Sequence, residues 1–194
     1  ASALHPEAKV VAYTLEIGER TLSPAGRPVR TLTINGGTPG PVLRFREGEV
    51  ARITVRNTFG TEDASIHWHG LLVPNLEDGV PELTTPRIGP GQTRVFEFLL
   101  RQSGTYWYHS HTGLQLQGGV YGAIVIEPKE PAAVAARMDH DVPILLSDWT
   151  DESPGEVQRT LLRGSDWYAY RRGTAPSLLG AYQAGKLGEY LAQE

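Results

Sequence analysis

A chain of 194 residues with 40% hydrophobic side chains can bury one large β domain, or one domain and part of another. Its 18 basic and 22 acidic residues leave a formal charge of −4, which argues against a nucleic-acid surface, and no basic run suits a membrane. Cysteine is absent and methionine occurs once (Met138), so disulfides and thiolate ligands are excluded and any metal is held by nitrogen and oxygen.

Glycine and proline fall between short alternating runs, the pattern of an all-β Greek-key sandwich or barrel. The first run puts Val11, Tyr13, Leu15 and Ile17 on one face. Residues 29–35 follow, with Leu32 and Ile34 apolar and Thr31 and Thr33 between them. A turn-rich segment, residues 36–41, leads into residues 42–45. Residues 49–57 alternate Ala51, Ile53 and Val55 with Arg52, Thr54 and Arg56.

Residues 64–70 place Ile66 and Trp68 on one face and His67 and His69 on the other. That pattern predicts Ile66 and Trp68 in the sandwich and both imidazoles outward. A long loop, residues 71–90, separates this strand from residues 93–100, whose Phe96, Phe98 and Leu100 point inward. After a Ser103-Gly104 turn, residues 105–110 set Tyr106 and Tyr108 against Trp107 and His109, and His111 continues the second face. Residues 120–127 form a last strand closed by Pro128, giving about eight strands in all.

The composition shifts after Pro131. Residues 132–136 read as a small-residue linker and residues 142–146 as one further buried strand. From residue 150 onward the alternation stops. Leu178, Leu179, Tyr182, Leu187, Tyr190 and Leu191 suggest short helical turns broken by Gly180, Gly185 and Gly188. The expected division is one domain over residues 1–130, then a linker and a partly helical C-terminal extension over 131–194 that begins a second domain. No stretch approaches the roughly 18 apolar residues that span a bilayer. The chain starts at Ala1 and not at Met, as a processed exported protein or a recombinant segment would.

Two strings carry the chemistry: His67-Trp68-His69 and His109-Ser110-His111. They hold four of the six histidines, where chance spacing gives about 0.2 such pairs. On a strand, residues i and i+2 share a face. Each pair is therefore a two-pronged imidazole clamp, suited to copper or zinc. A single pair could equally be two surface residues; two pairs, each backed by aromatics on the opposite face, favour a metal. A cupin-type site would carry Glu where Val73 and Pro74 stand. A three-histidine zinc hydrolase would leave His109 or His111 unexplained.

The strings His67-Trp68-His69-Gly70 and Gly104-Thr105-Tyr106-Trp107-Tyr108-His109-Ser110-His111 resemble the first two copper motifs of the multicopper oxidases. Asn35-Gly36, Pro39-Gly40-Pro41, Asp78-Gly79-Val80-Pro81 and Gly119-Val120-Tyr121-Gly122 match supporting stretches. Leu146-Ser147-Asp148-Trp149 resembles the start of the second domain in the bacterial copper-resistance branch. The likeness covers residues from about 30 to 150 and implies a cupredoxin-type fold for the first domain, a second one begun in the extension, and a periplasmic or secreted protein.

The resemblance further implies a type 1 copper that takes electrons from substrate and a trinuclear cluster that reduces dioxygen to water. Eight histidines in four His-x-His motifs hold that cluster. By position, His67 would serve the type 2 copper, His69 and His109 one type 3 copper, and His111 the other. Asp78 would help deliver protons, which dioxygen reduction consumes. Asp-Gly is also a common turn dipeptide, so Asp78 has a plain structural reading too. Glu77 is its neighbouring competitor, expected to be solvated. Trp107 would wall the site from solvent or pack against another domain, and His5 and His140 are expected to be surface residues.

The later motifs, His-x-x-His-x-His and His-Cys-His, do not occur, so half of the cluster ligands and the electron-entry site are missing from these residues. The expectation is the N-terminal part of a longer oxidase, or a domain that completes its site with another chain. Its partners would be dioxygen, copper(I) or a phenolic substrate, and the remaining cupredoxin domains. No Met-rich tract occurs to decide between the two substrates. The competing expectation is a non-catalytic copper-binding protein of the cell envelope; a structural domain with relic histidines is the weakest.

Overall fold

The computed structural model describes residues 2–3, 5–130, 140–163 and 177–192. It divides into two compact units, residues 1–151 and 152–194.

The first unit holds eight strands among the described residues: β1 (Val10–Leu22), β2 (Val29–Ile34), β3 (Leu43–Arg46), β4 (Val50–Asn57), β5 (His67–His69), β6 (Thr93–Leu99), β7 (Gly104–His109) and β8 (Tyr121–Glu127). They form two mixed four-stranded sheets, ordered β2-β1-β4-β6 and β3-β8-β7-β5. β1 and β2 form an antiparallel hairpin from Ile17↔Ile34 to Leu22↔Val29, whereas β1–β4 and β3–β8 run parallel.

Alternation sets which face is buried. Leu15, Ile17, Ile53, Val55, Phe96 and Phe98 from one sheet meet Leu43, Phe45, Ile66, Trp68, Tyr108, Ile124 and Ile126 in a single core. Val11 and Tyr13 pack at its margin. The Tyr13 hydroxyl donates to the Arg44 carbonyl (3.1 Å) and accepts the Arg44 N–H (3.0 Å), closing the open edge of β3 from the other sheet. The all-β sandwich expectation therefore holds.

Two expected strands differ. Residues 64–70 yield only the three-residue β5, because Ala64 bridges Ile88 of the long loop instead of extending the ladder. Residues 142–146 form no strand, and Val142, Ile144 and Leu146 are 71%, 80% and 89% exposed. No described segment pairs with them, and an apolar run without a ladder partner stays irregular. The linker expected at residues 132–136 lies outside the described residues.

The second unit contains α1 (Pro154–Leu162), α2 (Leu178–Gln183) and α3 (Leu187–Leu191). α1 begins with a capping box, in which Ser153 and Glu156 each satisfy the other's backbone N–H. Ser-x-x-Glu with Pro154 behind the cap signals this start in the sequence. α2 and α3 fall on the expected helical turns and Gly185 (φ +67°) separates them, but Gly180 and Gly188 lie within the helices and do not break them.

Tyr108 ties the two histidine-bearing strands to the core. Its hydroxyl donates to the Pro41 carbonyl at 2.8 Å. A Cβ at Gly122 would lie 2.3 Å from that oxygen, and one at Gly40 would lie 2.6 Å from it. Gly122→Ala is therefore expected to lower stability by about 1–3 kcal/mol, the usual cost of overpacking. Gly60, which has open space around its Cβ position, should accept alanine within about 0.5 kcal/mol. Urea denaturation of the two variants checks this contrast.

Candidate metal centre

β5 and β7 are antiparallel neighbours, with His67 opposite His109, Trp68 opposite Tyr108 and His69 opposite Trp107. Trp68 and Tyr108 point inward and are fully buried. Their burial forces His67, His69 and His109 to the other face, as the alternation predicts. His111 lies two residues past His109, beyond the end of β7.

The four imidazoles converge. Ring centroids lie 4.9 Å apart for His67–His111, 4.8 Å for His109–His111, 5.3 Å for His69–His109 and 5.5 Å for His67–His69. Among the described residues, one set of three or more His, Cys, Asp or Glu gathers ligand atoms for a metal: His67, His109 and His111, all within 4.8 Å of one another. His69 joins from the side, with its Nδ1 3.1 Å from His109 Nε2. Two nitrogens bound tetrahedrally to one ion at about 2.0 Å sit about 3.3 Å apart, so this pair is spaced like two ligands of one ion. His5 and His140 are not in the set.

Hydrogen bonds select the ligating nitrogen. His67 Nδ1 is 2.7 Å from the Asp78 carbonyl oxygen, so Nδ1–H donates and Nε2 keeps its lone pair. His109 Nδ1 pairs in the same way with the Ser110 carbonyl at 3.1 Å. His109 is only 6% exposed, and burial pushes its pKa down to about 4, against the raising effect of that carbonyl. Burial, then the neighbouring His67 and His69, also lower His111. Both are thus neutral near pH 7, the form that binds a metal without first losing a proton. Trp107 stacks on His109 at 4.0 Å and 18°, covering one flank of that ring.

Asp78 reaches the site mainly through its main chain. Its carboxylate is farther away, with Oδ1 3.5 Å from His67 Nδ1 and Oδ2 3.5 Å from Thr84 Oγ1. Gly79 makes the approach possible: it has φ +81°, and a Cβ there would stand 1.7 Å from the Ile66 carbonyl oxygen. The Asp-Gly dipeptide is therefore a turn and a ring-orienting device together. Glu77, expected in solvent, is half-buried and accepts the Glu97 N–H at 3.2 Å. The sequence pattern does not single out Ser65, Ser110, Thr112 and Gln115, which are buried and hydrogen-bonded to one another, with Ser65 accepting the His111 N–H. The available signal was Ser110, a polar residue on the face that Tyr106 and Tyr108 turn to the core.

A multicopper oxidase family model matches residues 16–131. This chain belongs to the multicopper oxidases. It is 47% identical over 165 residues to the copper resistance protein A of Escherichia coli, a match spanning 85% of this chain and 27% of that protein. The L-ascorbate oxidase of Cucumis sativus is 36% identical over 122 residues, covering 62% of this chain and 21% of its own. Among solved structures, a multicopper oxidase from Pseudomonas thermotolerans superposes with a TM-score of 0.62 at 31% identity. That alignment covers 66% of this chain and 32% of the other. A laccase from Botrytis aclada gives 0.60 at 38% identity, covering 63% and 23%. The fold of this multicopper oxidase chain is thus the cupredoxin type. The chain spans about a quarter of the length of the copper resistance proteins it matches. The family's metal is copper, and an all-imidazole set fits copper in either oxidation state.

Because the orienting contact comes from the main chain, Asp78→Asn is expected to leave copper(II) affinity within about 3-fold of wild type. Gly79→Ala should weaken it by about 10–100-fold, the usual cost of disturbing a ligand's hydrogen-bond partner. Competition titration with a chelator of known affinity separates the two.

Proposed function

We propose that this chain supplies four of the eight imidazoles of a trinuclear copper cluster in a multicopper oxidase. The remaining ligands and the electron-entry copper would come from other cupredoxin domains, on the same polypeptide or another. The observation that carries this reading is the convergence of both His-x-His pairs on one outward patch of β5 and β7. Copper held there would supply redox chemistry: four one-electron donors, copper(I) ions or phenols, would each give one electron, and dioxygen would take up those four electrons and four protons to leave as two water molecules.

The chain's own residues do the rest. His67 and His109 are held in the tautomer that offers Nε2. His69 offers Nδ1 beside His109, which supports the assignment of these two to one copper, with His67 and His111 serving the others. Trp107 stacks on His109 and lies beside His69, which covers one flank of the buried His109 ring. The Asp78 carboxylate, half-buried beside His67, is placed to hold a proton near the cluster. No helix among the described residues is long and apolar enough to cross a membrane. We assign the protein to the periplasm or the extracellular space on its similarity to copper resistance proteins.

The purified 194-residue chain is expected to bind copper(II) weakly and to consume no oxygen with a phenol or copper(I). Addition of a polypeptide carrying the His-x-x-His-x-His and His-Cys-His motifs should raise affinity and start turnover, and His109→Ala should abolish both gains. Oxygen electrode and copper titration give the readouts. Turnover by the chain alone would refute the shared cluster. Stoichiometric binding below about 1 μM without a partner (about −8 kcal/mol) would favour a copper-holding protein instead.

A further inference from the structure

His111 is the one imidazole in the patch whose backbone lies outside the strand ladder, since β7 ends at His109. Its N–H donates instead to the Ser65 hydroxyl at 3.0 Å. Ser65 stands two residues before His67, so one side-chain oxygen joins the two histidine arms.

That oxygen is held in turn. Gln115 Nε2 donates to the Asp63 carbonyl at 2.7 Å, which turns its Oε1 toward Ser110. The Ser110 hydroxyl donates to this Oε1 at 2.8 Å and accepts the Thr112 N–H at 3.0 Å. The Thr112 hydroxyl donates to Ser65 Oγ at 3.0 Å. Ser65, already accepting two hydrogens, directs its own proton to Ser110 at 3.4 Å. All four side chains are buried. Each hydroxyl donor has an acceptor, and the Gln115 Oε1, which can only accept, fixes the Ser110 proton and so the direction of the Ser65–Ser110 bond.

Such a cluster needs a reason. Apolar side chains of similar volume would fill the space without desolvating four polar groups. What they could not supply is an acceptor for the His111 N–H at a point where the ladder has ended. The geometry points to a positioning role: the Ser65 hydroxyl, braced by Ser110, Thr112 and Gln115, fixes His111 relative to His67 and so sets the span of the metal-binding imidazoles. This rests on the reading of the patch as a copper site.

The test uses the whole 194-residue chain with copper(II) as the probe. Ser65→Ala is expected to weaken copper(II) binding about 10–100-fold, to change the copper EPR hyperfine pattern, and to abolish protection of the His111 amide from hydrogen exchange in the metal-free protein. Thr112→Val should show part of the same loss, and Thr112→Ser, which keeps the hydroxyl, should return affinity to within about 3-fold of wild type. Thr33→Ala removes a buried hydroxyl bonded to the Gly18 carbonyl in the other sheet. It should lower the urea midpoint without changing copper binding, which separates positioning from stability. A folded Ser65→Ala protein with wild-type affinity and EPR spectrum would overturn the proposal. If Ser65→Ala does not fold, equal affinities for Thr112→Val and Thr112→Ser would overturn it. Absence of copper(II) binding by the wild type would defeat the copper site itself and the positioning role with it, and is read from that titration alone.

Discussion

The burial of Trp68 against Tyr108 is the constraint on which the site depends. These side chains sit opposite each other in the β5–β7 register, and Trp68 packs edge-on against Phe96 at 5.2 Å from the facing sheet. A one-residue slip of β5 would turn Trp68 to solvent and His67 and His69 into the core, and a slip of β7 would do the same to Tyr108 and His109. Burying two large aromatic side chains is worth about 3–6 kcal/mol, so the folding energy of the sandwich and the direction of the imidazoles are one quantity. The imidazole-bearing face needs no separate stabilisation; it is the reverse side of the core.

Direction alone does not make a ligand set. Imidazole offers two nitrogens, and the choice between them comes from main-chain carbonyls at Asp78 and Ser110. Main chain is a firm support for this task, because a carbonyl in a fixed turn loses no rotamer freedom when it accepts a hydrogen bond. The arrangement costs conformational freedom elsewhere: Gly79 must adopt positive φ and lie flat against the Ile66 carbonyl. His111, past the strand end, has no ladder to define it and takes its tie from a side chain instead.

Much of this was legible from period-2 alternation. It placed the eight strands and the outward faces of His67, His69 and His109, because side-chain direction in a strand is a local property. What alternation could not supply was pairing. The run at residues 142–146 has the residue types of a strand and none of the described partners, and Ala64 pairs with Ile88 of the loop instead of with the sheet. The same blindness to backbone partners put the emphasis at position 78 on the carboxylate, where the shorter contact is made by the carbonyl. The acceptor role of Glu77 is invisible to the pattern because it depends on the N–H of Glu97, twenty residues away.

The exposure gradient across the patch bears on how the site works. His109 is enclosed by Trp107 and its own strand, His67 is half-buried, and His69 and His111 stand open to solvent. A mononuclear structural site closes its ligands around the ion and hides them. Here the nitrogens with the firmest support lie deepest, and the exposed rings flank them on the outer side. On the proposed reading, the open side would meet the remaining ligands of the cluster, and that use needs imidazoles that are rigid before the partner arrives, since any ordering left to that moment subtracts from affinity. The carbonyl braces on His67 and His109, and the hydroxyl tie on His111, meet that need from within this chain.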